Sequence, residues 1–386
     1  MKATHAPAVY IACDRINTEE EKARVERMLQ KISCDRRLTL KSEHITKAMA
    51  AEGWYEKGER TGEKRRQNPN IIFTTFDWQD EANDPLKGKA YQAFTPGKFA
   101  FADFRDKQQL RAEKGAVCNS GYEIHTAFGC LHSCSYCHVG NALTIMVDIE
   151  KFTEKLSSLM QNNPWQKLYK YDNQTDVLTL EPEYGATKKL VELFAATDKT
   201  LMLYTKSDNV DHILDLDHKG KTVVCWTMSC SEVAEKYELG APSLEQRVEA
   251  ARKCQEAGYG VRIRFSPIIP IENWKEKNAE MIRQIFTKIS PSVVSMETLC
   301  HMSGRQANAL FSNLAIKPSG DAKEYELFKH ADRSEIYRFF IEEIRKHNKK
   351  VRIALCLETE KMWQELKGLV NGNPNNFYCC CGAKCA

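Results

Sequence analysis

Short runs rich in β-branched and aromatic residues recur at 122–128, 167–171, 200–204, 222–227, 260–265 and 292–296, each separated from the next by a helical or loop-helix segment. A parallel neighbour needs a crossover long enough to hold a helix, so this alternation points to a parallel sheet covered by helices. The pattern predicts an α/β fold, a partial (β/α)6 barrel of the TIM type, with intervening helices such as 148–160, 186–195 and 244–257. In such sheets ligands bind beyond the C-terminal ends of the strands. Chemistry is therefore expected in the residues just after each run.

Outside the alternation, residues 9–13 read as a short strand and 18–32 as an amphipathic helix with a Thr18 cap and an acidic first turn. The polar stretch 56–70 carries Lys57, Arg60, Lys64, Arg65 and Arg66, a solvated loop or a phosphate contact, and 71–117 wraps the main domain. Beyond 310 the alternation weakens, leaving a helix at 334–348 and a strand-like run at 351–356. The expected organisation is an α/β extension over 1–117, the barrel over 118–310, and a helical segment with a cysteine-rich tail over 311–386.

The composition, 42% hydrophobic and 28% charged, excludes a disordered or fibrous chain. A formal net charge of +4 is too small to argue for nucleic acid or an anionic membrane. No window approaches the roughly 18 apolar residues that span a bilayer, and Met1 is not followed by a basic and then apolar segment, so a cytoplasmic location without a membrane partner is expected. In a reducing compartment, 15 cysteines indicate metal binding or thiol chemistry rather than a disulfide framework.

Three of those cysteines, Cys130, Cys134 and Cys137, form a C-x3-C-x2-C loop directly after the first run of the alternation. Three thiolates on one loop can hold three irons of a cubic four-iron, four-sulfur cluster and leave the fourth iron open. Three structural cysteines, or a zinc site, are the alternatives, but zinc usually takes four ligands in closed C-x2-C pairs.

This motif at a strand end resembles the radical S-adenosylmethionine (SAM) superfamily, in which the open iron chelates SAM and reduction of the cluster cleaves a carbon–sulfur bond to release a carbon radical. The resemblance implies a 4Fe-4S cluster and SAM as cofactors, an external electron donor of the flavodoxin or ferredoxin type, and Tyr136 against the adenine. The segments Leu203-Tyr204-Thr205-Lys206, Val210-Asp211-His212-Ile213-Leu214, Gly220-Lys221-Thr222, Ala241-Pro242-Ser243-Leu244-Glu245-Gln246-Arg247 and Ala257-Gly258-Tyr259 are similar to the spore photoproduct lyase branch. By that resemblance Lys206 and Thr227 lie near the SAM carboxylate and sugar, and Gln174 and Thr175 near its amino end. A strand-end lysine also suits a carboxylate on charge alone.

Two departures bear on the substrate. Where lesion-repairing members of the branch carry a hydrogen-donating cysteine and a relaying tyrosine, this chain places Asn173 and His138, neither a ready hydrogen-atom donor. Residues 298–330 also lack the basic, aromatic density of a duplex-wedging hairpin. The tail instead carries Cys379, Cys380, Cys381 and Cys385, which in a turn can converge on one soft ion. It is open to three readings: a passive extension, a second iron–sulfur or zinc site, or a substrate-binding thiol cluster. It resembles the tail of the radical SAM enzyme of arsinothricin biosynthesis, with Tyr378 where an Arg is expected. That resemblance implies a thiophilic small-molecule substrate such as trivalent arsenic, held by Cys379, Cys380 and Cys381 as catalytic thiols, rather than DNA. A DNA-lesion lyase and a non-catalytic cluster-binding sensor are the alternatives. Cys225, Cys254 and Cys356 read as core, whereas Cys230 and Cys300 follow strands and could line the barrel mouth.

Overall fold

A computed structural model describes residues 1–53, 68–76, 78, 101–103 (backbone only), 122–137, 139, 142–164, 166–319 and 326–370. The described residues fall into two compact units: those within Met1–Asp103, Tyr122–Thr222 and Leu239–Ala241 in the first, and those within Val223–Glu238 and Pro242–Ala386 in the second.

The first unit holds β1 (Thr4–Ala12), β2 (Ile32–Leu40), β3 (Ile71–Thr74), β4 (Phe101–Asp103), β5 (Tyr122–Ile124), β6 (Ala127–Phe128), β7 (Ser133–Cys134), β8 (Leu143–Met146), β9 (Leu168–Tyr171) and β10 (Thr200–Thr205). One sheet runs β2-β1-β3-β8-β6, parallel except for the antiparallel pair β6–β8. The helix Glu19–Leu29, which links β1 to β2, starts on a reciprocal capping box between Thr18 and Glu21. Its Val25 and Met28 pack into a core with Val9, Phe73, Leu143 and Ile145. Every residue of β3 and β8 is buried, as a strand covered on both faces requires. In the same unit β10, β9 and β5 are parallel neighbours, and β4 lies antiparallel against β5.

In the second unit β11 (Thr222–Thr227, from Val223 on), β13 (Gly260–Ile268), β14 (Val293–Thr298) and β15 (Arg352–Leu355) follow one another in that order, all parallel, with the two-residue β12 (Glu238–Leu239) ending at its boundary. Helices Leu244–Glu256, Trp274–Lys288 and His330–His347 supply the crossovers. The fold is thus α/β with parallel sheets, as the alternation predicts. Among the described residues no helix is long and apolar enough to cross a membrane.

Two local differences from the sequence reading have physical causes. The helix expected over 18–32 ends at Leu29, and from Ile32 the chain runs as β2, parallel to β1 from the pair Thr4–Ile32 onward. The single strand expected over 122–128 is two: β5 pairs with β9, while β6 pairs with β8 in the other sheet. The switch occurs at His125 and Thr126, whose side chains are drawn to Asp172 (2.6 Å) and to the Tyr171 hydroxyl (2.7 Å). The cysteine motif therefore follows the sheet-switching strand rather than the first strand of the alternation.

Candidate active site

The loop begins at Gly129, whose φ of +94° lies in the left-handed region and whose added Cβ would come 2.1 Å from the Ala142 carbonyl oxygen. No side chain fits so close an approach. The Gly129 amide donates to the Gln174 carbonyl at 3.0 Å, tying the loop to the segment after β9. Cys134 is buried, and Cys130 and Cys137 are half-buried. The Cys137 amide donates to the Cys134 carbonyl at 3.0 Å, which holds the turn. The amides of His132 and Val139 donate to the Cys130 and Cys137 sulfurs, each at 3.4 Å. N–H groups aimed at sulfur favour its anionic form and tune a cluster that it holds.

Burial, followed by the nearby charges of Asp176, Cys134 and Cys137, pushes the Cys130 thiol well above its ordinary range. A thiolate there needs a cation to offset it, as metal ligation supplies. Among the described residues the three-donor set that closes to within 4.8 Å is Glu297, Cys300 and His301, so the three loop sulfurs are not spaced as a single-ion shell. A sulfur-only donor set that does not close on one ion suits separate irons of one cluster.

Asp176 joins the loop to the sheet. Its carboxylate accepts from the Thr205 hydroxyl (2.8 Å) and the Lys206 amide (2.7 Å), and lies 3.1 Å from His132 Nε2. The other ring nitrogen of His132 faces the Gly240 carbonyl at 3.0 Å. Burial would raise the Asp176 carboxyl, but His132 above all, with the Lys206 amide and the Thr205 hydroxyl, holds it below the usual carboxylate range. With its backbone fixed in this way, Lys206 carries its ammonium 5.9 Å from the centre of the Tyr136 ring. Thr175 is buried, and its hydroxyl has no hydrogen-bond partner among the described residues. The Gln174 amide donates to Asp172 at 2.6 Å.

Of the residues singled out from sequence, the structure thus gathers Cys130, Cys134, Cys137, Tyr136, Gln174, Thr175 and Lys206 around one set of contacts in the first unit. Thr227 ends β11 in the second unit, buried, with its carbonyl accepting from Arg247 at 3.3 Å. Cys379, Cys380, Cys381 and Cys385 lie outside the described residues, as does His138. Cys356, read as core, is half-buried, and the Arg264 guanidinium stands 3.5 Å from its sulfur.

The sequence reading missed Asp176 and a buried polar network on β5 and β9. Glu123 and Lys170 are cross-strand partners, with the ammonium 2.9 Å from the carboxylate and 4.7 Å from the Tyr204 ring centre. His125 lies between Asp172 (2.6 Å) and the second oxygen of Glu123 (3.6 Å). Burial would raise the Glu123 carboxyl, yet Lys170 and His125 hold it below its ordinary range. Asn173 donates to Glu123 at 3.0 Å, while its own oxygen is buried without a hydrogen-bond partner among the described residues. The legible signal was Glu-x-His on one strand and Lys-x-Asp on the next, two same-face pairs in otherwise apolar runs.

The chain is similar to known proteins in sequence and in fold. The chain is 22% identical over 260 residues to the spore photoproduct lyase of Clostridium acetobutylicum, covering 62% of this chain and 77% of that one. It is 27% identical over 180 residues to the spore photoproduct lyase of Bacillus subtilis, covering 45% of this chain and 52% of that one. A spore photoproduct lyase solved with bound AdoMet and dinucleoside spore photoproduct has the same fold, with a TM-score of 0.66 at 16% identity over 92% of this chain and 99% of that one. The spore photoproduct lyase family model matches residues 107–352, which take in the cysteine loop, the Asp176 contacts and every strand of both units from β5 to β14. With well over half its length inside that match, the chain belongs to the spore photoproduct lyase family of radical SAM enzymes.

Proposed function

We propose that Cys130, Cys134 and Cys137 hold a 4Fe-4S cluster whose open iron receives AdoMet, and that the resulting chemistry is directed at a thiophilic substrate, trivalent arsenic, rather than at a thymine lesion. When bound, the cluster supplies the electron that splits a carbon–sulfur bond of AdoMet and leaves a carbon radical, the electron coming from a flavodoxin- or ferredoxin-type donor. The chain's own residues position the reactants. Asp176 fixes the cysteine loop through His132 and the strand end through Thr205 and Lys206. Lys206 offers a cation to the AdoMet carboxylate, Tyr136 a ring to its adenine, and Gln174 and Thr175 polar groups to its amino end. The buried Thr175 hydroxyl, without a hydrogen-bond partner among the described residues, is the kind of group a ligand satisfies.

One observation carries the choice of substrate. Asn173 is engaged with Glu123 in a buried network and brings no S–H or phenolic O–H to return a hydrogen atom to a thymine radical. The run Cys379-Cys380-Cys381, with Cys385, supplies the thiols that would present trivalent arsenic for carbon–arsenic bond formation. The family match favours a second reading, a lyase acting on a DNA-type lesion, since a structural neighbour was solved with a dinucleoside spore photoproduct.

Anaerobic reconstitution and dithionite reduction with AdoMet, followed by mass analysis of the fragments, test both readings when run with arsenite in one arm and dinucleoside spore photoproduct in the other. The expected outcome is AdoMet fragments, a carbon–arsenic product in the first arm and no thymine release in the second. Changing all three loop cysteines to Ala is expected to remove the absorption near ~400 nm that iron–thiolate charge transfer produces. Changing the three consecutive tail cysteines to Ser is expected to keep AdoMet cleavage and lose arsenite binding. Clean thymine release from the lesion would establish the second reading instead.

A further inference from the structure

In the second unit, the end of β14 and the loop that leaves it bring together donor groups that the AdoMet chemistry does not use. Glu297, Cys300 and His301 each offer one ligand atom, and the three atoms lie within 4.8 Å of one another. The Cys300 thiol donates to Glu297 Oε1 at 3.0 Å, the contact that a metal ion would replace by taking sulfur and oxygen together. The other oxygen, Oε2, is held by the Arg264 guanidinium and accepts from the Ser266 hydroxyl at 2.6 Å. Arg264 also reaches the Ser266 hydroxyl at 2.9 Å, so the carboxylate is clamped from one side with Oε1 left facing Cys300. Support of this kind, behind the ligand, orients metal-binding carboxylates. Glu297 and Cys300 are buried, while His301 is half-buried and lies on the accessible side. His301 has a φ of 58°, a left-handed backbone that turns the chain back so that positions i, i+3 and i+4 meet. The loop follows the C-terminal end of a parallel strand, the face on which ligands bind in α/β sheets.

We infer that Glu297, Cys300 and His301 form a site for a divalent borderline ion, zinc by the mixed oxygen, sulfur and nitrogen donor set, with a fourth position open to water or an added thiolate. Three protein ligands of these types match an open zinc site rather than a closed structural one. Arg264 and Ser266 are positioning residues that act through Glu297.

The test uses the full chain with its iron–sulfur cluster reconstituted and its four tail cysteines changed to Ser, so that neither thiol set competes for zinc. Zinc per chain is measured after dialysis, and cobalt(II) is titrated as a spectroscopic probe. The expected result is one equivalent of zinc and a cobalt spectrum with thiolate charge transfer. The charge-transfer band is expected to vanish in Cys300→Ser, and stoichiometric zinc in Cys300→Ser and His301→Ala. His301, half-buried, is the variant that tests the site should Cys300→Ser fail to fold. Zinc binding absent from the tail-substituted chain, or unchanged in His301→Ala, overturns the inference. Iron content that stays constant across the variants separates this site from the cysteine loop.

Discussion

Asp148 and Asp176 are equally buried, each 4% exposed and both in the first unit, yet they sit in opposite electrostatic states. Asp148 precedes the helix Ile149–Asn162 but spends its carboxylate elsewhere, accepting from the Trp78 indole at 2.6 Å and the Phe76 amide at 3.2 Å. Both donors are neutral, and burial pushes its carboxyl up to about 6. Asp176 meets His132 as well as two neutral donors and is held low. Depth alone therefore does not set the charge of a buried acid. The identity of its donors does, and the chain keeps its firmly ionised carboxylate beside the cysteine loop, where His132 also ties strand ends to that loop.

The largest effect is expected from Asp176→Ala, which leaves His132, Thr205 and the Lys206 amide without their shared acceptor. Breaking a buried charged contact of this kind costs about 3–5 kcal/mol. Urea unfolding of Asp176→Ala and Asp148→Ala, side by side, checks the ranking, and an equal loss in both would break the comparison. The next effect is a pH dependence. A carboxyl raised to about 6 in the folded chain keeps its proton through a window, from ~4 upward, in which the unfolded chain has released it. Asp148 therefore stabilises the fold most at the acid end. That contribution falls as pH rises through the window, by up to about 3 kcal/mol. Asp148→Asn, which cannot ionise, is expected to flatten that part of the stability profile. If the wild type and Asp148→Asn run parallel between pH ~4 and ~7, the carboxyl is not raised. The smallest effect belongs to Lys206→Ala. Asp176 holds only the backbone of this residue, so stability is expected to stay within about 0.5 kcal/mol while AdoMet affinity, read by calorimetry, falls.

The contrast between the two carboxylates also marks where the sequence was legible. Strands of the second unit announced themselves because fully covered parallel strands carry unbroken apolar runs, as Val223–Trp226 does within β11. The cysteine loop was legible because its ligand spacing is local. Asp176 was not, since the contacts that give it meaning come from His132 and Thr205, 44 and 29 residues away. Ile71–Thr74 was hidden for a related reason. Three apolar residues and a threonine form no period, and only their neighbours β1 and β8 make them a central strand. The division of 122–128 between two sheets was likewise invisible, because Tyr171 at the end of β9 and Asp172 just after it, which draw Thr126 and His125 aside, lie more than 40 residues on.

The clearance at Gly129 has a consequence for how this chain tolerates change. Every other residue type begins with the same carbon, and it is that first carbon, 2.1 Å from the Ala142 oxygen, that has no room. Alanine at this position is thus nearly as disruptive as tryptophan, and the usual ranking of replacements by size or polarity collapses into a single step. A saturation library scored for iron content should be flat and empty at 129 while remaining graded at its neighbours. The accommodation that Ala142 would have to make is passed first to Leu143, the opening residue of β8 in the core of the N-terminal sheet.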